Sequence, residues 1–171
     1  ANYRARGDDI IDLGMGNPDM ATPNHIRDKL IETVNKPKTN RYSASKGISG
    51  LLRAQAKYYA RRFGVKLKPE TEIVATLGSK EGFANIAQAI TAPGDIILAT
   101  NPTYPIHQFG FIISGGVIRN MPAAPDENFL RFLEKEVVNS NPKPKVLVVN
   151  YPSNPTALHA SLDFYKDVVS F

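Results

Sequence analysis

Short apolar segments alternate with amphipathic stretches over most of the chain. Four segments predict β-strands, at residues 73–77, 96–99, 117–121 and 145–149. Stretches with apolar residues at helical spacing lie between these segments and after the last one. This alternation predicts an α/β fold, with a mostly parallel sheet and helices on both faces.

Two further helices are predicted before the first strand. Thr22 and Pro23 provide a hydroxyl N-cap and a proline at the first helical position, and apolar residues follow at helical spacing. The first predicted helix therefore covers residues 23–35. The second covers residues 49–63 and is followed by a glycine, which commonly ends a helix.

Composition indicates a globular protein with a substantial core. The chain has 171 residues, of which 42% are hydrophobic and 22% are charged. It contains no apolar run near the ~18 residues that a membrane helix needs. Cysteine is absent and the first residues lack a signal-peptide pattern, so we expect a cytoplasmic protein that does not bind a membrane.

The formal net charge of +5 raises the question of nucleic-acid binding. Arg53, Lys57 and Arg61 recur at every fourth position of the second predicted helix. They form either a nucleic-acid contact or the solvated stripe of an amphipathic helix. We favour the solvated stripe and expect no nucleic-acid partner, because no recognised nucleic-acid module accompanies these charges.

Three histidines are the remaining candidates for metal or nucleophilic chemistry. His25, His107 and His159 have no metal-ligand spacing with one another, so we expect no metal site. No Ser/His/Asp set stands out either. We expect these histidines to lie on the surface or in turns.

A glycine-containing turn lies between the first predicted strand and its helix, at residues 78–82. The backbone N–H groups of Ser79 and Lys80 would be open donors at a helix N-terminus, an arrangement that binds anions. The turn lacks the spacing of a nucleotide P-loop. Taken alone, a glycine-containing turn of this kind favours ordinary turn chemistry over an anion site.

Two polar loops follow other predicted strands. Tyr104, between Pro102 and Pro105, could stack on a flat ring or cap the core. Asn154, in a polar turn after residues 145–149, could donate to a phenolate-like oxygen or satisfy its own turn. Ligands of such sheets collect at the carboxyl ends of the strands. An anion cradle, an aromatic platform and an amide donor together favour a pyridoxal 5'-phosphate site.

Five blocks of the chain resemble the class I and II aminotransferases, which are fold-type I pyridoxal phosphate enzymes. The blocks occur in family order and spacing, at residues 13–19, at Tyr42 with residues 47–48, and at residues 78–82, 101–105 and 150–156. Residues 78–82 and 150–157 are most similar to a bacterial subgroup with alanine-forming and diaminopimelate-type transaminases. Ala157 departs from the glycine that most relatives carry there.

The resemblance implies a role for each matching residue of the cofactor site. Ser79 and Lys80 would bind the cofactor phosphate, mainly through their amides. Tyr104 would stack on the pyridine ring, and Asn154 would donate to the phenolic oxygen. The function it implies is transfer of an amino group between an amino acid and a 2-oxo acid.

The resemblance also implies a partner subunit and a domain plan. Tyr42 would reach the cofactor phosphate of the neighbouring subunit in a homodimer, and Gly16 would help seat the substrate carboxylate. Residues 1–47 would form an N-terminal arm with the first helix. Residues 48–171 would form a partial pyridoxal phosphate-binding large domain, the first half of the family's large domain, without the rest of the chain or the small domain.

The expected catalytic groups do not occur in this sequence. The family's Schiff-base lysine, and the acid that keeps the pyridine nitrogen protonated, both follow the Asn-Pro-Thr turn. Lys80 is no substitute, because its position directs it to the anion. We therefore expect no catalytic residue and an inactive chain.

Three explanations stay open for a chain that lacks the family's catalytic groups. The gene is truncated or decayed, a longer enzyme has been cut or incompletely built, or the chain is a noncatalytic remnant that binds a phosphate ligand or serves a structural role. If the chain folds alone, its uncovered apolar surface predicts a dimer or a higher assembly.

Overall fold

The computed structural model describes residues 3–11, 13–14, 16 and 18–171. Backbone contacts divide the chain into two compact units, Ala1–Ser43 and Ala44–Phe171. No helix within the described ranges is long and apolar enough to cross a membrane.

The first unit contains a short 3-10 turn, Arg4–Arg6, and helix α1, Asn24–Val34. The predicted hydroxyl cap by Thr22 is wrong. Pro23 itself takes the N-cap position, with φ −53° and ψ 138°, and no side chain caps the helix. The Pro23 carbonyl accepts the first helical bond, from the Ile26 N–H at 3.0 Å, so Thr22 lies one residue too early.

The second unit begins with helix α2, Ser49–Phe63, which matches the predicted bounds. Gly64 ends α2 with φ +70°, and its N–H donates to the Ala60 carbonyl at 3.1 Å. The elements that follow are α3 (Ser79–Ile90), β1 (Ile96–Asn101), α4 (Ile106–Ile113), β2 (Val117–Pro122), α5 (Glu127–Asn139), β3 (Pro144–Val148) and α6 (Leu162–Ser170).

The three strands form a parallel sheet in the order β2-β1-β3. In the central strand, Ile97 is opposite Ile118 of β2, and Ala99 is opposite Val148 of β3. The predicted parallel α/β arrangement is confirmed for these elements. Each strand is joined to the next through a helix, as parallel pairing requires.

The central strand explains why helices cover both faces of the sheet. Ile96 and Leu98 lie in one core with side chains of α5 and α6, whereas Ile97 and Ala99 lie in a second core with side chains of α3 and α4. Successive residues of a strand point to opposite faces, so a wholly apolar β1 needs two covering layers. The largest fully buried side chains include Phe111, Phe129, Ile97, Leu98 and Met121.

The predicted strand at residues 73–77 is wrong, because this segment is irregular in the structure. Its backbone is held by a loop: the Ala75 N–H donates to the Lys46 carbonyl at 2.9 Å. An apolar run with β-branched residues forms a strand only where a neighbouring strand pairs with it. Here the segment meets a loop and leads into α3.

Candidate functional site

Three candidate groups lie around the carboxyl edge of the sheet. Strands β1 and β3 are parallel neighbours, so the loops that follow them leave the sheet at the same edge. The first loop carries Tyr104 and the second carries Asn154. The ammonium group of Lys80, in the first turn of α3, lies 5.5 Å from the centre of the Tyr104 ring. The structure thus brings Lys80 and Tyr104 together, with Asn154 on a loop at the same edge.

The N-terminus of α3 presents open backbone donors. Gly78 is the N-cap residue, with φ +89° and ψ 163°, a conformation that favours glycine. Among the described residues, no acceptor pairs with the backbone N–H of Ser79 or of Lys80. Both side chains are exposed. These amides, the Ser79 hydroxyl and the Lys80 ammonium form a donor set suited to a phosphate.

The position of Lys80 beside Tyr104 also affects the pKa of its side chain. A side-chain hydrogen bond and a Coulombic interaction with Tyr104 raise the pKa of Lys80 above its ordinary value. The side chain therefore remains an ammonium at neutral pH. The negative face of the tyrosine ring attracts a cation that lies over it.

His107 supports the loop that carries Tyr104. Its Nδ1 atom is hydrogen bonded to the Thr103 Oγ1 at 2.8 Å, and its backbone N–H donates to the Tyr104 carbonyl at 3.0 Å. Its ring lies 5.1 Å from the ring of Phe83, on α3, and 6.0 Å from that of Tyr104. Burial lowers the pKa of His107, so the ring is neutral near pH 7.

The expected surface or turn position of His107 is wrong, whereas His25 and His159 are exposed as predicted. The first turn of α4 faces Phe83 of α3, which removes His107 from solvent. The four-residue separation of Thr103 and His107, across a predicted helix start, is a sequence signal for this bond.

The turn that carries Asn154 is closed by the backbone. The Ser153 N–H donates to the Leu158 carbonyl at 2.9 Å, and the Ala157 N–H donates to the Ser153 carbonyl at 2.7 Å. Asn154 is exposed, and its side-chain amide has no hydrogen-bond partner within the described part of the chain. Ala157 has φ +55°, a backbone conformation that favours glycine.

Tyr151 anchors the same turn to the core, and the sequence did not indicate this role. Its hydroxyl donates to the Ala123 carbonyl at 2.8 Å, and its ring lies edge-to-face with that of Phe164 at 5.8 Å. Burial, with a smaller contribution from Tyr165 and then Asp126, raises the pKa of Tyr151 to about 12. The loop after β3 therefore starts from a well-packed residue.

Tyr42 and Gly16 belong to the first unit. Tyr42 is fully exposed, and an added Cβ at Gly16 would meet no atom within 4 Å. Met15 and Asn17 of the same sequence block lie outside the described residues. The roles expected for Tyr42 and Gly16, at a partner's cofactor and at the substrate carboxylate, stay predictions.

The second unit fits a flat ligand that carries a phosphate at one end. Amide donors and an ammonium lie at the α3 N-terminus, an aromatic face lies beside them, and an unpaired amide lies on the neighbouring loop. Pyridoxal phosphate has these features, namely a phosphate, a ring and a phenolic oxygen. Ser79, Lys80, Tyr104 and Asn154 would hold it.

Comparison with known proteins bears on this site. Residues 8–171 match the family described as aminotransferase class I and II. The chain is 68% identical to the putative aminotransferase AatC of Rhizobium meliloti (strain 1021), over 100% of this chain and 42% of that protein. It is 45% identical to the glutamate-pyruvate aminotransferase AlaC of Escherichia coli (strain K12), over 98% of this chain and 40% of that protein.

A solved structure shows the same arrangement of elements. The substrate-bound structure of BacF from Bacillus subtilis superposes with a TM-score of 0.85 at 36% sequence identity. The superposition covers 96% of this chain and 42% of that one. The chain thus spans about two fifths of the length of the relatives that it matches.

Proposed function

This chain belongs to the class I and II aminotransferase family, and from that premise we propose that it forms the cofactor-binding part of a pyridoxal phosphate-dependent transaminase. Membership confirms the sequence resemblance, and the match to a solved relative confirms the α/β fold of the family's large domain. The activity proposed for a protein of family length is transfer of an amino group between an amino acid and a 2-oxo acid.

One observation carries this proposal: phosphate donors and an aromatic platform lie side by side at the edge of the sheet, where Lys80 contacts the Tyr104 ring at 5.5 Å. Ser79 and Lys80 would bind the phosphate through their amides, and Tyr104 would stack on the ring. Asn154 would donate to the phenolic oxygen. When bound, pyridoxal phosphate supplies an electron sink for the carbanion formed at the substrate α-carbon.

A noncatalytic binding role is the second candidate for this chain alone. Lys80 is the lysine in contact with the aromatic platform, yet its place in the first turn of α3 directs its ammonium to an anion. With no other lysine assigned to the site, we propose that the chain binds the cofactor without turning substrate over. The homodimer, the amino acid and oxo acid substrates, the cytoplasmic location and the division at residues 47–48 stay predictions.

Borohydride reduction with pyridoxal phosphate tests whether the chain carries a covalent site of its own. We expect no stoichiometric pyridoxyl group on any single lysine when the intact mass and the peptides are measured. Lys80→Arg is the matched control, because it keeps the charge and removes the amine. One stoichiometric adduct that disappears in Lys80→Arg would show that Lys80 reacts with the cofactor and would contradict the noncatalytic assignment.

Reversible binding is tested with pyridoxine 5'-phosphate, which has no aldehyde and forms no lysine adduct. We expect saturable binding that is tighter than the binding of pyridoxine, measured by fluorescence titration. Tyr104→Leu is expected to weaken the binding of both compounds, since the ring contact is shared. Equal affinity for pyridoxine and its phosphate would contradict the proposed phosphate cradle.

A further inference from the structure

The irregular segment before α3 is held by side chains. The Thr76 hydroxyl donates to the Gly78 carbonyl at 3.0 Å. The same carbonyl accepts the N–H of Gly82 at 3.3 Å. Two donors therefore hold the Gly78 carbonyl in one direction.

That carbonyl shares a planar peptide group with the N–H of Ser79. In a trans peptide the C=O and N–H bonds point in opposite directions, so a bond that orients one also orients the other. By holding the Gly78 carbonyl, Thr76 thereby also directs the N–H of Ser79, the first open amide of α3. This N–H points opposite to the carbonyl, toward the space where an anion would lie. This effect passes through the backbone and needs no contact between Thr76 and the anion.

Glu81 holds the other side of the same turn. Its carboxylate accepts the backbone N–H of Leu77, the residue before the N-cap. In a capping box the glutamate at the third helical position accepts the N–H of the N-cap residue, whereas Glu81 accepts the N–H one residue earlier, at Leu77. Because the carboxylate pairs with Leu77, the amides of Ser79 and Lys80 stay open.

Gly82 leaves the space in which Thr76 sits. An added Cβ at Gly82 would lie 3.0 Å from the Thr76 Oγ1 and 3.4 Å from its methyl carbon. Any side chain at Gly82 therefore presses on the hydroxyl that orients Gly78. Because α3 lies this close to residues 76–78, the turn has little room for another backbone conformation.

Resting on the proposed function, we propose that Thr76 and Glu81 are positioning residues that orient the α3 amides toward the cofactor phosphate. The side chains of Thr76 and Glu81 bond to the backbone of the turn, and the ligand is contacted by Ser79 and Lys80. Loss of either bond weakens recognition of the phosphate group and leaves recognition of the ring unchanged.

The test compares the affinities of pyridoxine 5'-phosphate and pyridoxine, both measured on the full chain. The ratio of the two affinities isolates the phosphate contribution, and general destabilisation does not change it. Thr76→Val keeps the shape and removes the hydroxyl, and we expect it to lower the ratio about threefold to tenfold, as for one lost hydrogen bond. Thr76→Ser keeps a hydroxyl and is expected to restore most of the ratio.

Two controls separate positioning from folding. Ser114→Ala removes a bond of the same kind far from the proposed phosphate donors. The Ser114 hydroxyl donates to the Gly110 carbonyl at 3.0 Å, at the C-terminal end of α4. We expect the ratio to stay at the wild-type value in this variant. Glu81→Met, compared with Glu81→Gln, isolates the acceptor from the charge, and only the methionine variant is expected to lose selectivity.

The outcomes distinguish this inference from the proposed function. If wild type prefers the phosphate compound and folded Thr76→Val keeps the full ratio, the inference is overturned and the proposed function stands. If wild type shows no preference, both are overturned. Should Thr76→Val fail to fold by circular dichroism, the Glu81→Met and Glu81→Gln pair decides: equal ratios overturn the inference.

Discussion

Replacement of Gly47 by alanine tests how the loop at residues 44–47 holds the segment before α3. Gly47 has φ +99°, and an added Cβ would lie 2.7 Å from the Ala75 Cβ and 3.3 Å from a methyl carbon of Leu52. The left-handed backbone costs an alanine about 1–2 kcal/mol. The overpacked contact adds about 1–3 kcal/mol. We therefore expect Gly47→Ala to lower the free energy of unfolding by about 2–5 kcal/mol.

A matched glycine separates these two costs. Gly64 has φ +70°, and an added Cβ there meets no atom within 4 Å. Gly64→Ala is therefore expected to cost only the backbone part, about 1–2 kcal/mol. Urea unfolding followed by far-UV circular dichroism measures both variants under the same conditions.

A double-mutant cycle with Ala75→Gly then assigns the excess cost to one contact. Removal of the Ala75 Cβ opens the space that the new methyl group of Gly47→Ala needs. We expect a coupling free energy of about 1–3 kcal/mol between the two sites, as for residues in direct contact. Equal costs for Gly47→Ala and Gly64→Ala, together with a coupling near zero, would refute the reasoning.

Four further variants test the core and two ionisable groups. Phe129→Ala removes a ring that is 0% exposed and is expected to cost about 3–5 kcal/mol of unfolding free energy in urea, whereas Phe109→Ala, at 57% exposed, is expected to cost less than about 1 kcal/mol. Burial raises the pKa of Tyr151 from 10.0 to about 12, so its contribution to stability is full below pH 10 and is lost as the pH rises toward 12. Tyr151→Phe should abolish that loss in urea midpoints measured across this range. Bonds from the Ala92 amide and Lys145 lower the pKa of Asp95 below 3.8, so its contribution is present above that pH and is lost on acidification. Asp95→Asn should flatten the acid limb of the stability curve. Equal costs for the two phenylalanines, or unchanged pH curves, would contradict these assignments.

Much of the second unit was predictable because its signals are local. The apolar run at residues 96–99 predicts a doubly covered strand, and it forms the centre of the sheet. Gly64 predicts the end of α2, since only its positive φ permits the observed cap. Tyr104 and Asn154 follow predicted strands, so the shared sheet edge follows from parallel pairing alone.

Other features depend on tertiary neighbours that no local pattern indicates. Residues 73–77 have strand composition, but their backbone bonds to Lys46 in a loop instead of a neighbouring strand. The sequence predicts a surface or turn position for His107, but in the fold α3 places Phe83 against its ring. Thr76 and Glu81 resemble ordinary polar positions in the sequence, and their bonds to Gly78 and Leu77 depend on the geometry of the turn.

The central claim is that the N-terminus of α3 and the two neighbouring loops form one site for a phosphate-bearing ring. Amide chemical shifts of the ¹⁵N-labelled chain, titrated with pyridoxine 5'-phosphate, test it directly. We predict saturable shifts that are largest at the backbone amides of Ser79 and Lys80 and extend to Tyr104 and the side-chain amide of Asn154. Shifts centred on another helix N-terminus, such as that of α5, or the absence of saturable shifts would contradict it.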